Sequence, residues 1–518
     1  VISIARRGVG GTLLAAAASF AAFAVQAQTV EPVTPETLAR MQRQLEEMRA
    51  EQREQAQRIE VLAQEIARAA GQSPIATAPA PQASAQETSP PAGPAPETPR
   101  PETSQQAAQT VENAAMVAEH DEATAGSWGP FSPGAGFKVA KTDKGELSIS
   151  GYMLMRAIDQ LPASQSFTDH LGVVHKIDPR NDIQLQRIMV WLNGWVYTPK
   201  LRYTTIFWTV NSTNQVAIAG ALTYRFNKAF ELSAGIQRHA ATYTMMGSFP
   251  YWLGTDRVMA DEYFRPGMTS AIWATGEFAP KWRYMAMVGD NLSQLGINAS
   301  KLTRARAVSG SIWWMPTTGE FGPRGGMGDY EQHQTLATRF AVSMTHSRED
   351  RFSQPDVTTP DNTQIRMSDS VLFFQTGALA PGVTVEKADY DMASVSAGFK
   401  LKGWALHAEG YGRWISDLRA DGPVPLSKMK DTGFYVQTSY DVMPKTLQLY
   451  LSTSQIHGQF NDASEYILGA NWFPFDTRNL RLNAQVMDIN HSPVSSVFGY
   501  YVGGQKGTTL SVSLDMLY

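Results

Sequence analysis

The chain has 518 residues, a formal net charge of −4 and no cysteine, which excludes disulfides and thiolate metal sites. Its length would hold about three or four soluble domains. However, charged residues are 18% against roughly 25% in soluble proteins, with 10% aromatics and 41 glycines.

Residues 1–27 read as a signal peptide. Arg6 and Arg7 give a positive start, GTLLAAAASFAAFA an apolar core, and Val25-Gln26-Ala27 a small-residue cleavage context. The expectation is export to a bacterial envelope. No later stretch has eighteen continuous apolar residues, so no spanning helix is expected. A closed barrel stays open as a way across a membrane, because its sheet satisfies every backbone group internally.

Residues 28–70 contain a heptad pattern, expected as a periplasmic coiled coil. Leu38, Leu45, Gln52, Ile59 and Ile66 take position a, and Met41, Met48, Gln55, Leu62 and Ala69 take position d. Thr34 and Pro35 suit a helix start. The Gln52/Gln55 layer costs stability and can fix register, but this core does not choose between dimer and trimer. A single amphipathic helix packed on another surface is the alternative. Residues 71–145 are expected as a flexible linker, of which the Pro/Ala-rich stretch 71–106 cannot bury enough apolar surface to fold. A short helix at 107–120 and an entry segment FSPGAGF at 131–137 lie within the linker.

Residues 146–518 alternate extended, aromatic-rich segments with turns. In FELSAGIQ (230–237), LRLNAQV (480–486) and GWALHAEGYGRW (403–414), apolar and polar residues fall on opposite faces. The last segment, GTTLSVSLDMLY, sets Leu510, Val512, Leu514, Met516 and Tyr518 on one face, with Leu517 breaking the pattern. Turns at 198–200, 226–228, 279–281, 401–403, 443–445 and 474–479 are short, while one starting at Pro316 is longer. The intervening links are generally longer. Short turns on one side and long loops on the other are the mark of an outer-membrane barrel.

The expected fold is therefore an all-β transmembrane barrel of about sixteen antiparallel strands, after the coiled-coil helix and disordered linker. The expected strands are 147–157, 184–197, 200–210, 217–226, 229–240, 268–278, 281–291, 303–315, 334–346, 391–400, 403–414, 431–441, 446–456, 465–473, 479–490 and 508–518. An even count puts both barrel ends on the periplasmic side. A soluble sandwich would need an aliphatic interior, whereas one face here is consistently Arg, Glu, Ser, Asn and Gln.

The third and fifth external loops are expected at 241–267 and 347–390, long enough to imply function. The third mixes aromatics with charge and is expected to narrow the lumen, through Tyr251, Trp252, Asp256, Arg257 and Arg265; the fifth adds Phe373 and Phe374. Alternation points Arg156, Arg187, Arg283, Arg339, Arg413 and Arg481 inward, with Glu231, Glu277 and Glu409. An arginine-lined path favours anions. Yet residues 146–518 hold 32 Lys plus Arg and 32 Asp plus Glu, so selectivity depends on placement and not on excess. His407 and Glu409 are the nearest thing to a base–carboxylate pair, but no nucleophile accompanies them, and no cofactor, metal or catalytic role is expected. No basic stretch supports nucleic-acid binding.

The segments DEYFRPGMTSAIWATGEFAPKWRYMAMVGDNLSQLG (261–296) and YILGANWFPFDTRNLRLNAQVMDI (466–489) resemble the phosphate-selective porin O and P family, across roughly residues 146–518. The resemblance implies a sixteen-stranded, trimeric outer-membrane porin with inward third and fifth loops. Phosphate-selective members carry a constriction lysine cluster. Here the third loop has no lysine and the fifth only Lys387. The coiled coil with its spacer resembles that of certain sugar porins, and offers trimerisation or contact with peptidoglycan. The functional expectation is a porin giving passive diffusion of small polar or anionic solutes, embedded among outer-membrane lipid and lipopolysaccharide. The alternative is a largely closed barrel that anchors the outer membrane to the cell wall through its stalk.

Overall fold

The computed structural model describes residues 131–132, 134–161, 164, 166–210, 215–293, 306–354, 364–496 and 499–518. The expected signal peptide, coiled coil and most of the linker lie outside the described residues.

Among the described residues the main sheet has eighteen strands, two of them the short pieces Phe131–Ser132 and Gly136–Lys141. The other sixteen form a closed antiparallel barrel. They are β1 Gly145–Gln160, β2 Asn181–Val196, β3 Thr198–Val210, β4 Gln215–Asn227, β5 Phe230–Arg238, β6 Met268–Ala279, β7 Trp282–Gly289 and β8 Ala307–Trp314. They continue as β9 Ala337–Asp350, β10 Val385–Leu401, β11 Trp404–Ala420, β12 Met429–Met443, β13 Leu447–His457, β14 Asp462–Trp472, β15 Leu480–Asn490 and β16 Gly507–Leu517. Each strand pairs with the next, and β16 closes on β1 from Thr509–Gln160 to Leu517–Tyr152. The barrel wall thus has no free edge.

Period two sorts the wall. Leu449, Leu451, Leu468, Val486 and Leu514 are exposed on the outside, while Gln448, Ser452, Asn471, Asn483 and Asp515 are buried on the inside. At the turn end the outside carries a girdle of rings. Trp282 stacks on Trp314 at 5.1 Å between centroids, Trp314 neighbours Phe340, and Trp404 stacks on Tyr440 at 4.4 Å. An apolar band with an aromatic girdle fits a membrane interface.

Some strands differ from expectation. The sheet begins before residue 146, because Gly136–Lys141 pairs with the first residues of β1, along the edge that β16 leaves open beyond Tyr152. β8 is shorter than 303–315, and residues 294–305 lie outside the described residues. β9 and β10 are longer than expected and pair as far as Asp350–Lys387. The run SRED at 347–350 reads as loop by composition. In the hairpin, Arg348 lies opposite Asp389 and bonds it at 2.7 Å, so the charges stabilise strand pairing.

Leu517 breaks the alternation because it faces inward and joins the buried apolar cluster with Tyr152 and Trp252. Tyr518 exchanges two backbone hydrogen bonds of 2.8 Å with Gly151. A Cβ on Gly151 would sit 2.3 Å from the Tyr518 ring. Gly151→Val is therefore expected to weaken the β16–β1 seam by about 1–3 kcal/mol through overpacking. Loss of the folded, fast-migrating gel band at a lower temperature than in the parent checks this.

Candidate functional site: a lumen occupied from both ends

Loop 3, residues 239–267, enters the barrel and lies against the inside of the wall. It starts two residues earlier than expected. Its helix α1, Met259–Phe264, has no side-chain cap from its own N-cap residue, Val258. The wall supplies the caps instead. Met259 N–H donates to Glu465 Oε2 at 3.0 Å, and Ala260 N–H to Ser454 Oγ at 2.6 Å. Six residues would not hold a helix in water. This one forms because β13 and β14 accept its first amides.

The inward arginines mostly grip loops. Arg156 bonds Asp256 at 3.2 Å, and Arg187 lies 3.6 Å from the same carboxylate. Arg481 pairs with both oxygens of Asp515 at 2.9 and 2.8 Å and donates to the Trp252 carbonyl at 2.5 Å. Arg413 is fixed by Asp431 at 2.6 Å and reaches the Tyr263 hydroxyl and, at 2.8 Å, the Arg366 carbonyl of loop 5. Arg339 lies over the rings of Tyr243 and Trp313. Glu409 accepts the Tyr243 amide at 3.0 Å. Arg283 and Glu277 sit 3.8 Å apart, Glu277 is 3.0 Å from Lys228, and Glu231 is 3.1 Å from Arg225. His407 and Glu409 share the Tyr435 hydroxyl, which donates to Glu409 Oε2 at 3.3 Å. His407 Nδ1 is 3.0 Å from the Tyr435 hydroxyl.

In the loop itself, Trp252 is buried beneath Arg257, 4.6 Å from guanidinium carbon to ring centroid. Arg265 holds Glu262 at 2.6 Å. Tyr251 is partly buried against the Arg478 guanidinium at 4.2 Å. Loop 5 is residues 351–384, shorter than the expected 347–390 because β9 and β10 extend into it. Phe373 is fully buried and Phe374 packs edge-on to it at 4.9 Å.

The inward face is not uniformly polar. Toward the loop end, Tyr390, Met392, Ile415, Met429, Ile456, Met487 and Ile489 point inward and form one apolar cluster with Trp252, Phe264 and Phe373. Fully burying such side chains contributes about 2 kcal/mol each. A wet lumen does not explain them, but loops packed inside the barrel do.

A second segment fills the turn end. Other turns there span one to seven residues, whereas β8 and β9 are joined by residues 315–336. This connection folds inward and buries Phe321, Met327, Asp329 and Tyr330. Met327 N–H donates to the Tyr251 carbonyl at 2.9 Å, and Arg324 to the Phe249 carbonyl at 3.0 Å. The connection therefore touches loop 3 inside the barrel. Its sequence signal was its length together with Phe321, Met327 and Tyr330 set in a glycine-rich run.

Asp329, Glu331 and His333 hold potential metal-ligand atoms within 4.8 Å of one another. Each of the three residues already has a partner. The two nitrogens of His333 face Asp329 and Glu320, and Glu331 bonds Arg478 at 2.6 Å. The cluster reads as an ion-pair clamp. At the loop end, a cavity of ≈ 370 Å³ is bordered by Phe167, His170, Asp369, Phe460 and Lys506.

The loops do not cover the wall evenly. On β10–β16 the inward side chains are almost all buried beneath loops. On β3–β6 the inward Thr204, Ala217, Ala221, Thr223, Gly235 and Thr275 remain partly exposed. Beside this sector a cavity of ≈ 40 Å³ is lined by Arg187, Arg238, Arg257, Arg265, Asp256 and Glu262, among others.

No protein-family model and no curated protein matches the chain. Among solved structures, it is similar to outer-membrane expressed OmpT of Vibrio cholerae, with TM-score 0.48 and 12% identity, covering 73% of this chain and 99% of that chain. It is also similar to an anion-selective porin from Comamonas acidovorans, with TM-score 0.46 and 12% identity over 72% of this chain and 100% of that one. A third is Salmonella typhi OmpF in complex with daunomycin, with TM-score 0.44 and 12% identity over 73% and 99%.

Two outcomes follow from these contacts. Arg413→Gln leaves the buried Asp431 carboxylate without its cation, and is expected to cost about 3 kcal/mol. A lower denaturant midpoint, restored in part by Arg413→Gln/Asp431→Asn, checks this. The second concerns His333, whose pKa is raised from 6.5 to about 9, first by its bond to Asp329 and then by that to Glu320. The bond to His333 is also the main cause holding Glu320 down at about 2. The His333 contribution is thus full below its unfolded pKa and lost as pH rises through about 9; the Glu320 contribution is lost only as pH falls through about 2. Amide exchange in residues 320–333 is expected to be slower in the parent than in His333→Gln at pH 7, with the difference vanishing above about pH 9.

Proposed function

We propose that this chain is an outer-membrane channel for passive diffusion of small polar and anionic solutes. The observation that carries the proposal is the uneven filling of the lumen. Loops 3 and 5 pack against β10–β16 and β1, while several small inward residues of β3–β6, among them Thr204, Ala217, Ala221, Thr223, Gly235 and Thr275, stay partly exposed. Solutes pass through this off-centre slot. Charge is concentrated beside it. Arg156, Arg187, Arg238, Arg257 and Arg265 stand with Asp256, Asp261 and Glu262, five cations to three carboxylates. In a narrow, partly desolvated slot such a surplus attracts anions. Among the described residues the slot has no lysine cluster, so a general preference for small anions is the reading, without phosphate specificity.

The occupied lumen also favours the second reading, a nearly shut barrel whose stalk, residues 28–70, ties the outer membrane to the cell wall. Single-channel recording in a planar bilayer under a KCl gradient separates the two. The channel reading expects small, stable current steps, in threes for a homotrimer, and a reversal potential on the chloride side. Arg187→Gln/Arg238→Gln is expected to move that potential toward zero. Reproducibly inserted protein that passes no current overturns the channel reading and supports the tether. In that case, deleting residues 28–106 loosens the envelope.

A further inference from the structure

We infer that residues 315–336 form a second constriction, a plug seated in the turn end of the barrel, and that its docking sets how readily solutes leave the slot. The inference rests on the channel reading. It adds a determinant of permeation on the opposite side of the lumen from the loops.

The seating is built. Arg478, in the turn between β14 and β15, bonds Glu331 at 2.6 Å while its guanidinium lies over Tyr251 of loop 3 and Tyr330 of the plug. Lys400, on β10, is fully buried, donates to the Phe321 carbonyl at 2.8 Å and lies 4.5 Å from the Phe321 ring centroid. A buried ammonium is unfavourable unless it has such partners. The glycine-rich run serves close approach. A Cβ on Gly326 would fall 2.4 Å from an Arg478 nitrogen, and one on Gly328 would fall 2.4 Å from the Gln448 amide nitrogen. An ordinary surface turn needs none of this. A hairpin of two residues joins β6 to β7 on the same rim, so strand geometry does not require 22 residues between β8 and β9.

The plug also touches what it would regulate. The Met327 amide and the Arg324 guanidinium bond loop 3 carbonyls, and the Tyr243 hydroxyl of loop 3 donates to the Gly325 carbonyl. On this proposal, solute that has passed loop 3 meets the plug next. Release of the Arg478 and Lys400 contacts would free the turn end, while Arg156, Arg187, Arg257 and Arg265 beside the slot keep carboxylate partners of their own in Asp256, Asp261 and Glu262.

The test compares the full chain with Arg478→Gln and with a variant in which residues 319–332 are replaced by a short Gly-Ser turn. Both are expected to raise single-channel conductance, by about twofold and more, while the KCl reversal potential stays as in the parent. A second readout covers a variant that inserts poorly or a barrel that carries no current. The chain has no cysteine, so Met327→Cys gives a single thiol at a buried plug position. A membrane-impermeant maleimide added from the turn side is expected to label it about tenfold faster when Arg478→Gln is also present. Fast labelling in the otherwise unaltered chain overturns the plug, as does a conducting parent whose current is unchanged in the shortened variant. Absence of current in every form, with labelling still slow and released by Arg478→Gln, overturns the channel reading and keeps the plug.

Discussion

The seam between β16 and β1 is the contact on which the rest of the molecule depends. Backbone amides and carbonyls in hydrocarbon have no water to bind, so a spanning sheet must close on itself. Here closure runs from Thr509–Gln160 to Leu517–Tyr152 and continues as the backbone exchange between Tyr518 and Gly151. Closing sixteen strands fixes a circumference. An eight-stranded barrel is just filled by its own side chains; sixteen strands leave a lumen that only water or additional chain can occupy. This protein uses chain over much of the cross-section.

Backbone brought into the lumen needs partners of its own. The wall supplies them from its inward face. Asn471 and Arg481 donate to the carbonyls of Leu253 and Trp252, Ser394 to that of Ala241, and Glu465 and Glu409 accept loop amides. This is why polar inward residues are needed even where little water remains. On β11–β16, Arg413 is buried with Asp431, and Arg481 with Asp515. The apolar residues near the loop end do the complementary task, packing against Trp252, Phe264 and Phe373. The loops are thus held by hydrogen bonds along their backbone and by burial at their rings.

The result is asymmetric. One half of the wall is consumed in holding the loops. A four-strand sector, β3–β6, presents small residues such as Ala217, Ala221 and Gly235, which leave room beside loop 3. Size and charge meet in that gap, because Arg187, Arg238, Arg257 and Arg265 border it.

The sequence by itself determined the strand count, the order of turns and loops, and the inward or outward direction of most wall residues. Those follow from period two, which is local and survives without knowledge of neighbours. Arg413 and Arg481, for example, fall on the inward face by alternation alone. Only the tertiary structure decided what the inward residues do. Alternation cannot say that Arg481 spends its charge on Asp515, some thirty residues away along the chain, or that Leu517 breaks the pattern to meet a folded-in loop. Nor does it show that residues 315–336 turn into the barrel and touch loop 3, since Met327 and Tyr251 are distant in sequence and meet only when the wall has closed around both. A strand's faces are set by its own backbone geometry. The contents of a lumen are set by which long connections the finished circumference has room to admit.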